Sequence, residues 1–236
     1  MKRLYVVIAC NKYYEGRILP SLNTWMRGMG KDEDYVLMGE KSIPELNMVG
    51  FEDDDGHYCS IGKRKLRFID EYRELLLNYD WITFIDDDAY LFRNRHKEFL
   101  KGYDHRKPHI IGHRMGREVT NRLDKNLYKY RLFHGGATIT ISSATVSESL
   151  LRVDKFRKVF YENLSPQERM FGDVAASYFA SLSYSKPIVD KYLFNYRSYK
   201  MFRYKMKDFY KIISSHYLTE QDKYFLYDME KDFAHV

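Results

Sequence analysis

Two patterns of apolar residues alternate along the first part of the chain: short continuous runs, and stretches with helical spacing. Leu4–Ala9 is a run of the length expected for a strand buried on both faces. From Glu15 to Met29, apolar residues fall at Ile18, Leu22, Trp25 and Met29, which predicts a helix ending near Gly28 and Gly30. Tyr35–Met38 predicts a second strand, and Lys63–Tyr79, with Leu66, Ile69, Tyr72, Leu76 and Leu77, a second amphipathic helix. Trp81–Ile85 predicts a third buried strand, and it runs directly into Asp86-Asp87-Asp88. This order predicts an α/β fold with a largely parallel sheet. Such sheets bind ligands beyond the carboxyl ends of their strands, where the three aspartates stand.

From His109 onward the pattern is mixed. A short strand is expected at His109–Gly112, and Gly135-Gly136 leads into another at Ala137–Ile141. Helices are expected near Thr145–Leu151 and Asp173–Ser181. No repeat, linker or break in composition divides the chain, so one domain over 1–236 is expected.

Composition narrows the classes. The chain has 236 residues, 44% hydrophobic and 31% charged, which is enough apolar material for a packed core. Only 13 Gly and 5 Pro exclude collagen-like and low-complexity chains. Two cysteines, Cys10 and Cys59, are too few for a disulfide scaffold or a cysteine zinc site, and favour a reducing compartment. The apolar run at the start is about half the length of a signal-peptide core and lacks a small-residue cleavage site. No stretch approaches the roughly 20 apolar residues of a membrane span. A soluble, cytoplasmic protein is therefore expected. Its net charge is +6, and 22 Tyr and 15 Phe are more rings than a core needs, so some should line a groove or surface.

Three adjacent carboxylates repel one another unless a cation lies among them. A hard divalent ion such as Mg²⁺ or Mn²⁺ removes that cost and commonly also holds phosphates. Glu52–Gly56 is also acidic, but no buried strand leads into it, and it reads as a solvated turn. The Trp81–Ile85 strand would instead hold Asp86–Asp88 at a fixed place. A strand followed by Asp-x-Asp also fits haloacid-dehalogenase-type phosphatases, but Tyr90 stands where those usually carry Thr or Val. Nucleotidyltransferases place Gly-Ser on a helix shortly before their Asp pair, and none precedes this one.

Several blocks together resemble the fringe-like β1,3-glycosyltransferases, relatives of the core-1 galactosyltransferases. Arg17 followed by Thr24-Trp25 is similar to an early Arg and Thr-Trp of the family. Trp81 to Tyr90 is similar to its Trp-Phe-x-x-x-Asp-Asp-Asp-x-Tyr block. His134 to Ser142 resembles its Gly-Gly-Ala-Gly strand, with Thr138 in place of the last Gly. Gly172-Asp173 falls where the family has a pair of acids opening a helix, and Ser215-His216-Tyr217 resembles its late His. The likeness runs from about Leu4 to Tyr227.

That resemblance implies a GT-A fold, with a Rossmann-like nucleotide-sugar half (about 1–112) joined through a mixed central sheet to an acceptor half (about 113–236). It implies inverting transfer of a galactose-, GlcNAc- or glucose-type sugar from a UDP-sugar to a glycan or glycoconjugate hydroxyl, with Mn²⁺ or Mg²⁺. Asp88 and His216 are the implied metal ligands. Asp86 and Asp87 would face the ribose or assist the metal, and Asp173 would be the general base. Arg17 and Lys65 would contact the UDP phosphates or fix the acidic site, and Gly135 and Gly136 would let the backbone approach the donor or acceptor. Family members are typically Golgi membrane proteins with several disulfides, so the low cysteine count marks this chain as a microbial or viral relative, or as a trimmed catalytic domain of the Golgi lumen.

Residues 191–211 interleave seven basic and eight aromatic residues with one acid. The plainest reading is a solvated, partly buried helix. As a functional surface the stretch fits a sugar acceptor or an anionic membrane, touched peripherally, ahead of nucleic acid. Two other classes stay open: a carbohydrate-binding relative without turnover, and a basic nucleic-acid-binding protein, whose affinity would fall steeply with salt.

Overall fold

The computed structural model describes residues 1–51, 61–120, 129–136, 138–162, 172–189, 194–195, 209 and 211–233. The acidic loop 52–56, Cys59 and most of 191–211 lie outside the described residues.

The first strand, β1 (Arg3–Ile8), is buried throughout and leads through a π turn (Tyr14–Ile18) and α1 (Leu19–Asn23) to β2 (Glu33–Gly39). β3 (Met48–Gly50), α2 (Ile61–Glu71) and α3 (Arg73–Leu77) precede β4 (Trp81–Asp86). Then come β5 (Tyr90–Leu91), α4 (Arg93–Leu100), β6 (His109–Gly112) and a hairpin of β7 (Arg114–Thr120) and β8 (Lys129–Phe133). β9 (Ile139–Ser142), α5 (Ser143–Leu150), α6 (Val153–Glu162) and α7 (Gly172–Ser181) follow. The chain closes with β10 (Lys186–Val189), β11 (Phe194–Asn195), β12 (Ser214–Ser215) and α8 (Glu220–Phe233).

Seven strands form one sheet in the order β10-β6-β9-β4-β1-β2-β3. Its pairings are parallel except where β9 runs antiparallel between β4 and β6. The alternation along β1 explains why the sheet is covered on both faces. Leu4, Val6 and Ile8 pack with Leu66, Phe68 and Ile69 of α2 and Ala176 and Phe179 of α7. Tyr5, Val7 and Ala9 face the other way, toward Trp25, Leu100 of α4 and Leu226 of α8. This is the mixed α/β architecture expected. Among the described residues, no helix is long and apolar enough to cross a membrane.

Both expected helices of the first half prove shorter. Glu15–Met29 yields only the π turn and α1, because Thr24 leaves helical geometry (φ −118°, ψ −106°) and its hydroxyl donates to Pro20 O at 2.5 Å. Lys63–Tyr79 breaks at Tyr72 (φ −110°, ψ 27°), whose ring stacks on Phe68. The strand expected from Ala137 starts at Ile139, since Thr138 adopts a left-handed φ of 79°.

A polar chain crosses the core under the sheet. Thr83 and Thr140 hydroxyls bond at 3.0 Å, and His96 Nε2 lies 3.1 Å from the Thr140 hydroxyl. His96 is fully buried, and its Nδ1 has no hydrogen-bond partner among the described residues. Burial, reinforced by the Arg3 charge, pulls its pKa down to about 3. The unfolded chain takes up this proton below about pH 6.5, whereas the folded chain does not, so the unfolded state gains as pH falls. His96 should therefore withdraw stability between about pH 6 and pH 4, on the order of 1 kcal/mol per pH unit. Thermal melts of His96→Gln should show a shallower acid slope than the parent; identical slopes would contradict this account.

Candidate active site

β1 and β4 end side by side, with Ile8 paired to Asp86 and the Asp87 N–H donating to Ile8 O at 3.1 Å. The Ala89 N–H then bonds Asp86 O at 3.1 Å and closes a turn. Within that turn the three carboxylates separate. Asp87 points inward, accepting the Cys10 N–H at 2.9 Å and Arg17 Nη1 at 3.3 Å. All three line a cleft of about 500 Å³, within the usual ~300–1,000 Å³ of small-molecule sites, with Asp86 and Asp88 the more exposed pair.

His216 reaches these carboxylates because of a short strand pairing. β12 runs antiparallel to β5, matching Ser215 with Tyr90 and Ser214 with Leu91. The Phe92 N–H bonds Ile213 O, and the Leu218 N–H bonds Asp88 O, both at 2.9 Å. This register sets His216 Nε2 2.9 Å from Asp88 Oδ1 and 3.7 Å from Asp86 Oδ2. Asp86, Asp88 and His216 each offer a ligand atom, all within 4.8 Å of one another. Two carboxylates and one imidazole make a donor set compatible with a divalent cation.

The paired glycines lie against this cluster. A Cβ on Gly136 would sit 2.1 Å from His216 Cε1, and one on Gly135 would sit 2.2 Å from Asp173 Oδ1. Asp173 stands in the first turn of α7, where its carboxylate accepts the Gly135 N–H and its own. The close approach that these glycines permit is thus to Asp173 and His216. Thr138, which replaces the expected third glycine, takes the left-handed backbone that glycine adopts more readily.

Electrostatics differ among the four carboxylates. Burial pushes Asp86 well above the usual carboxylate range, and the facing Asp173 charge adds to it. Burial lifts Asp87 to about 6, against the pull of the Cys10 N–H. For Asp88 the burial effect is outweighed by the His216 hydrogen bond and charge, with help from Arg17 and Lys223, so its pKa falls. Burial also raises Asp173, opposed by Lys65 and the Gly135 N–H.

Lys65 is fully buried, with its ammonium 5.1 Å from the centre of the Phe84 ring and no hydrogen-bond partner among the described residues. It lies beneath the acidic turn, its charge felt by Asp86 and Asp173. Arg17 does line the cleft, 3.3 Å from Asp87 and 3.8 Å from Asp88, with its guanidinium over the Tyr13 ring. All the singled-out residues therefore gather at one end of the sheet, where Lys65, Asp87, Gly135 and Gly136 are buried.

Several neighbours were given no role from the sequence. Glu40 joins the cleft wall, fixed by the Asn11 N–H at 2.7 Å and by Arg64 at 3.5 Å. Tyr217 is exposed beside His216, with a left-handed φ of 54° and its ring 3.9 Å from the imidazole centre. Lys223 is buried against Arg17 and Asp87. A Lys in a helix with five acids reads as a solvated one.

A sequence-family profile described as Fringe-like matches residues 2–234. No curated protein sequence matches the chain. Among solved structures, the chain is similar to A197 from STIV, at 15% identity and a TM-score of 0.37, over 79% of this chain and 80% of that one. It is also similar to a glycosyltransferase involved in the glycosylation of the major capsid of PBCV-1, at 12% identity and a TM-score of 0.46, over 97% of this chain and 100% of that one. Likenesses this low leave activity to the family profile and the geometry.

Replacing Gly136 with Ala should displace the His216 ring and weaken Mn²⁺ binding by about tenfold or more, with helix content unchanged. Titration of free Mn²⁺ by electron paramagnetic resonance, alongside circular dichroism, measures both. Parental affinity in Gly136→Ala would show that the ring has room to stay.

Proposed function

The chain belongs to the Fringe-like family of glycosyltransferases, and from that membership we propose an inverting transfer of a hexose-type sugar from a UDP-sugar to a glycan or glycoconjugate hydroxyl. The observation that carries the reading is the convergence of Asp86, Asp88 and His216 in a cleft beside Asp173. Those three residues would hold Mn²⁺ or Mg²⁺, the imidazole favouring Mn²⁺. When bound, the ion would neutralise charge developing on the leaving diphosphate.

The chain's own groups account for the rest of the proposed chemistry. Arg17, already held beside Asp87 and Asp88, is a cleft cation suited to phosphate oxygens. Asp173 has a pKa raised by burial, which suits a carboxylate taking a proton in the transition state. In the proposed step the acceptor oxygen bonds to the anomeric carbon while the carbon–oxygen bond to the diphosphate breaks. The electron pair leaves with UDP, and the hydroxyl proton passes to Asp173. One displacement with one base inverts the anomeric centre. Gly135 lies against the Asp173 carboxylate, with no room there for a β-carbon.

A screen of nucleotide-sugars for Mn²⁺-dependent hydrolysis tests the reading and identifies the donor. Asp88→Ala should lose turnover by a factor of about 10² or more and bind UDP no better with Mn²⁺ than without it. Asp173→Asn should keep Mn²⁺-dependent UDP binding, measured by calorimetry, while transfer falls by about 10²–10⁴. An active Asp173→Asn enzyme would remove Asp173 from the base role. Mn²⁺-dependent UDP binding without hydrolysis or transfer of any sugar would instead mark a carbohydrate-binding relative.

A further inference from the structure

Lys223 is completely buried, yet all three of its recorded hydrogen bonds go to neutral oxygens. Its ammonium donates to Arg17 O and to the Ser21 hydroxyl, each at 2.7 Å, and to Asp87 O. An ammonium has three N–H groups, and here each has one acceptor. The residue is itself rigidly placed. The Thr219 hydroxyl and N–H donate to Asp222 Oδ2 at 2.8 and 3.1 Å, and the Asp222 N–H returns to the Thr219 hydroxyl at 3.3 Å. This reciprocal cap fixes the first turn of α8, with Asp222 immediately before Lys223.

The bond to Asp87 O orients the peptide plane between Asp87 and Asp88, since that unit rotates as one body. The Leu218 N–H holds Asp88 O on the following peptide. Both peptides flanking Asp88 are thus tied to the C-terminal segment, which also brings His216 to its side chain. We infer that Lys223 is a positioning residue: it sets the direction of the Asp88 carboxylate toward His216 by holding the peptide in front of it. The inference rests on the proposed reading of Asp86, Asp88 and His216 as cation ligands.

Charge and position make opposite demands, which allows a test. As a positive charge near Asp87 and Asp88, Lys223 opposes a second cation, so removing the charge alone should tighten metal binding. As a device that aims Asp88, its removal should weaken metal binding.

Mn²⁺ titration of the full chain by electron paramagnetic resonance, with circular dichroism as the fold control, separates the two. Lys223→Met should stay folded and bind Mn²⁺ about tenfold more weakly. Lys223→Ala should regain affinity with added ethylammonium, which has N–H donors, and not with tetramethylammonium, which has charge alone. Parental or tighter Mn²⁺ binding by Lys223→Met would overturn the inference. So would failure of both variants to fold, which would make Lys223 a staple of the structure. If Asp88→Ala binds Mn²⁺ as the parent does, the cation reading fails and takes this inference with it. A parent site that needs Asp88 but not Lys223 defeats the inference alone.

Discussion

Two residue pairs, Tyr90 with Ser215 and Leu91 with Ser214, hold the end of the chain against the turn that carries Asp86, Asp87 and Asp88. Three consecutive carboxylates at the mouth of a buried strand repel one another, and each loses hydration. The turn is tolerable because two of its carboxylates and one of its carbonyls are matched individually. Asp87 takes a backbone N–H and a guanidinium, Asp88 takes an imidazole, and the Asp87 carbonyl takes an ammonium. Two of those partners, His216 and Lys223, arrive through the C-terminal segment. A slip of one residue in the pairing would turn the side chains of β12 to the opposite face and carry His216 away from Asp88.

The sheet supplies the fixed reference for this arrangement. β1 and β4 are parallel, buried and in register, so the turn leaves a backbone that has little freedom to move. β9, the antiparallel strand, enters this layer directly after Gly135, Gly136 and Thr138, which places the glycines beside the strand ends. Gly135 and Gly136 then fit against Asp173 and His216 with no space for a β-carbon. Residues from four separated parts of the chain therefore converge at the strand ends.

Much of the framework was legible in the pattern of residues. The buried strands at Leu4–Ala9 and Trp81–Ile85, and the short strand at His109–Gly112, declared themselves as continuous apolar runs and recur within a residue or so in β1, β4 and β6. Helix ends were harder. Thr24 and Tyr72 interrupt helices through local bonds and stacking that apolar spacing does not encode. Two-residue strands such as β5 and β12 are too short to leave a periodic trace, although they decide where His216 lies. The aspartates were visible because a buried strand leads into them, and His216 and Asp173 only through the resemblance of their surroundings to a known family. Lys223, Glu40 and the inward turn of Asp87 depend on contacts between distant segments, which no local pattern records.

The most direct test of the account is a crystal of the protein grown with Mn²⁺ and UDP and examined by anomalous diffraction. The account requires a manganese peak bounded by Asp86, Asp88 and His216, with the diphosphate of UDP in contact with it. A manganese ion held elsewhere, or UDP bound in the cleft with these three side chains contacting neither metal nor phosphate, would contradict it.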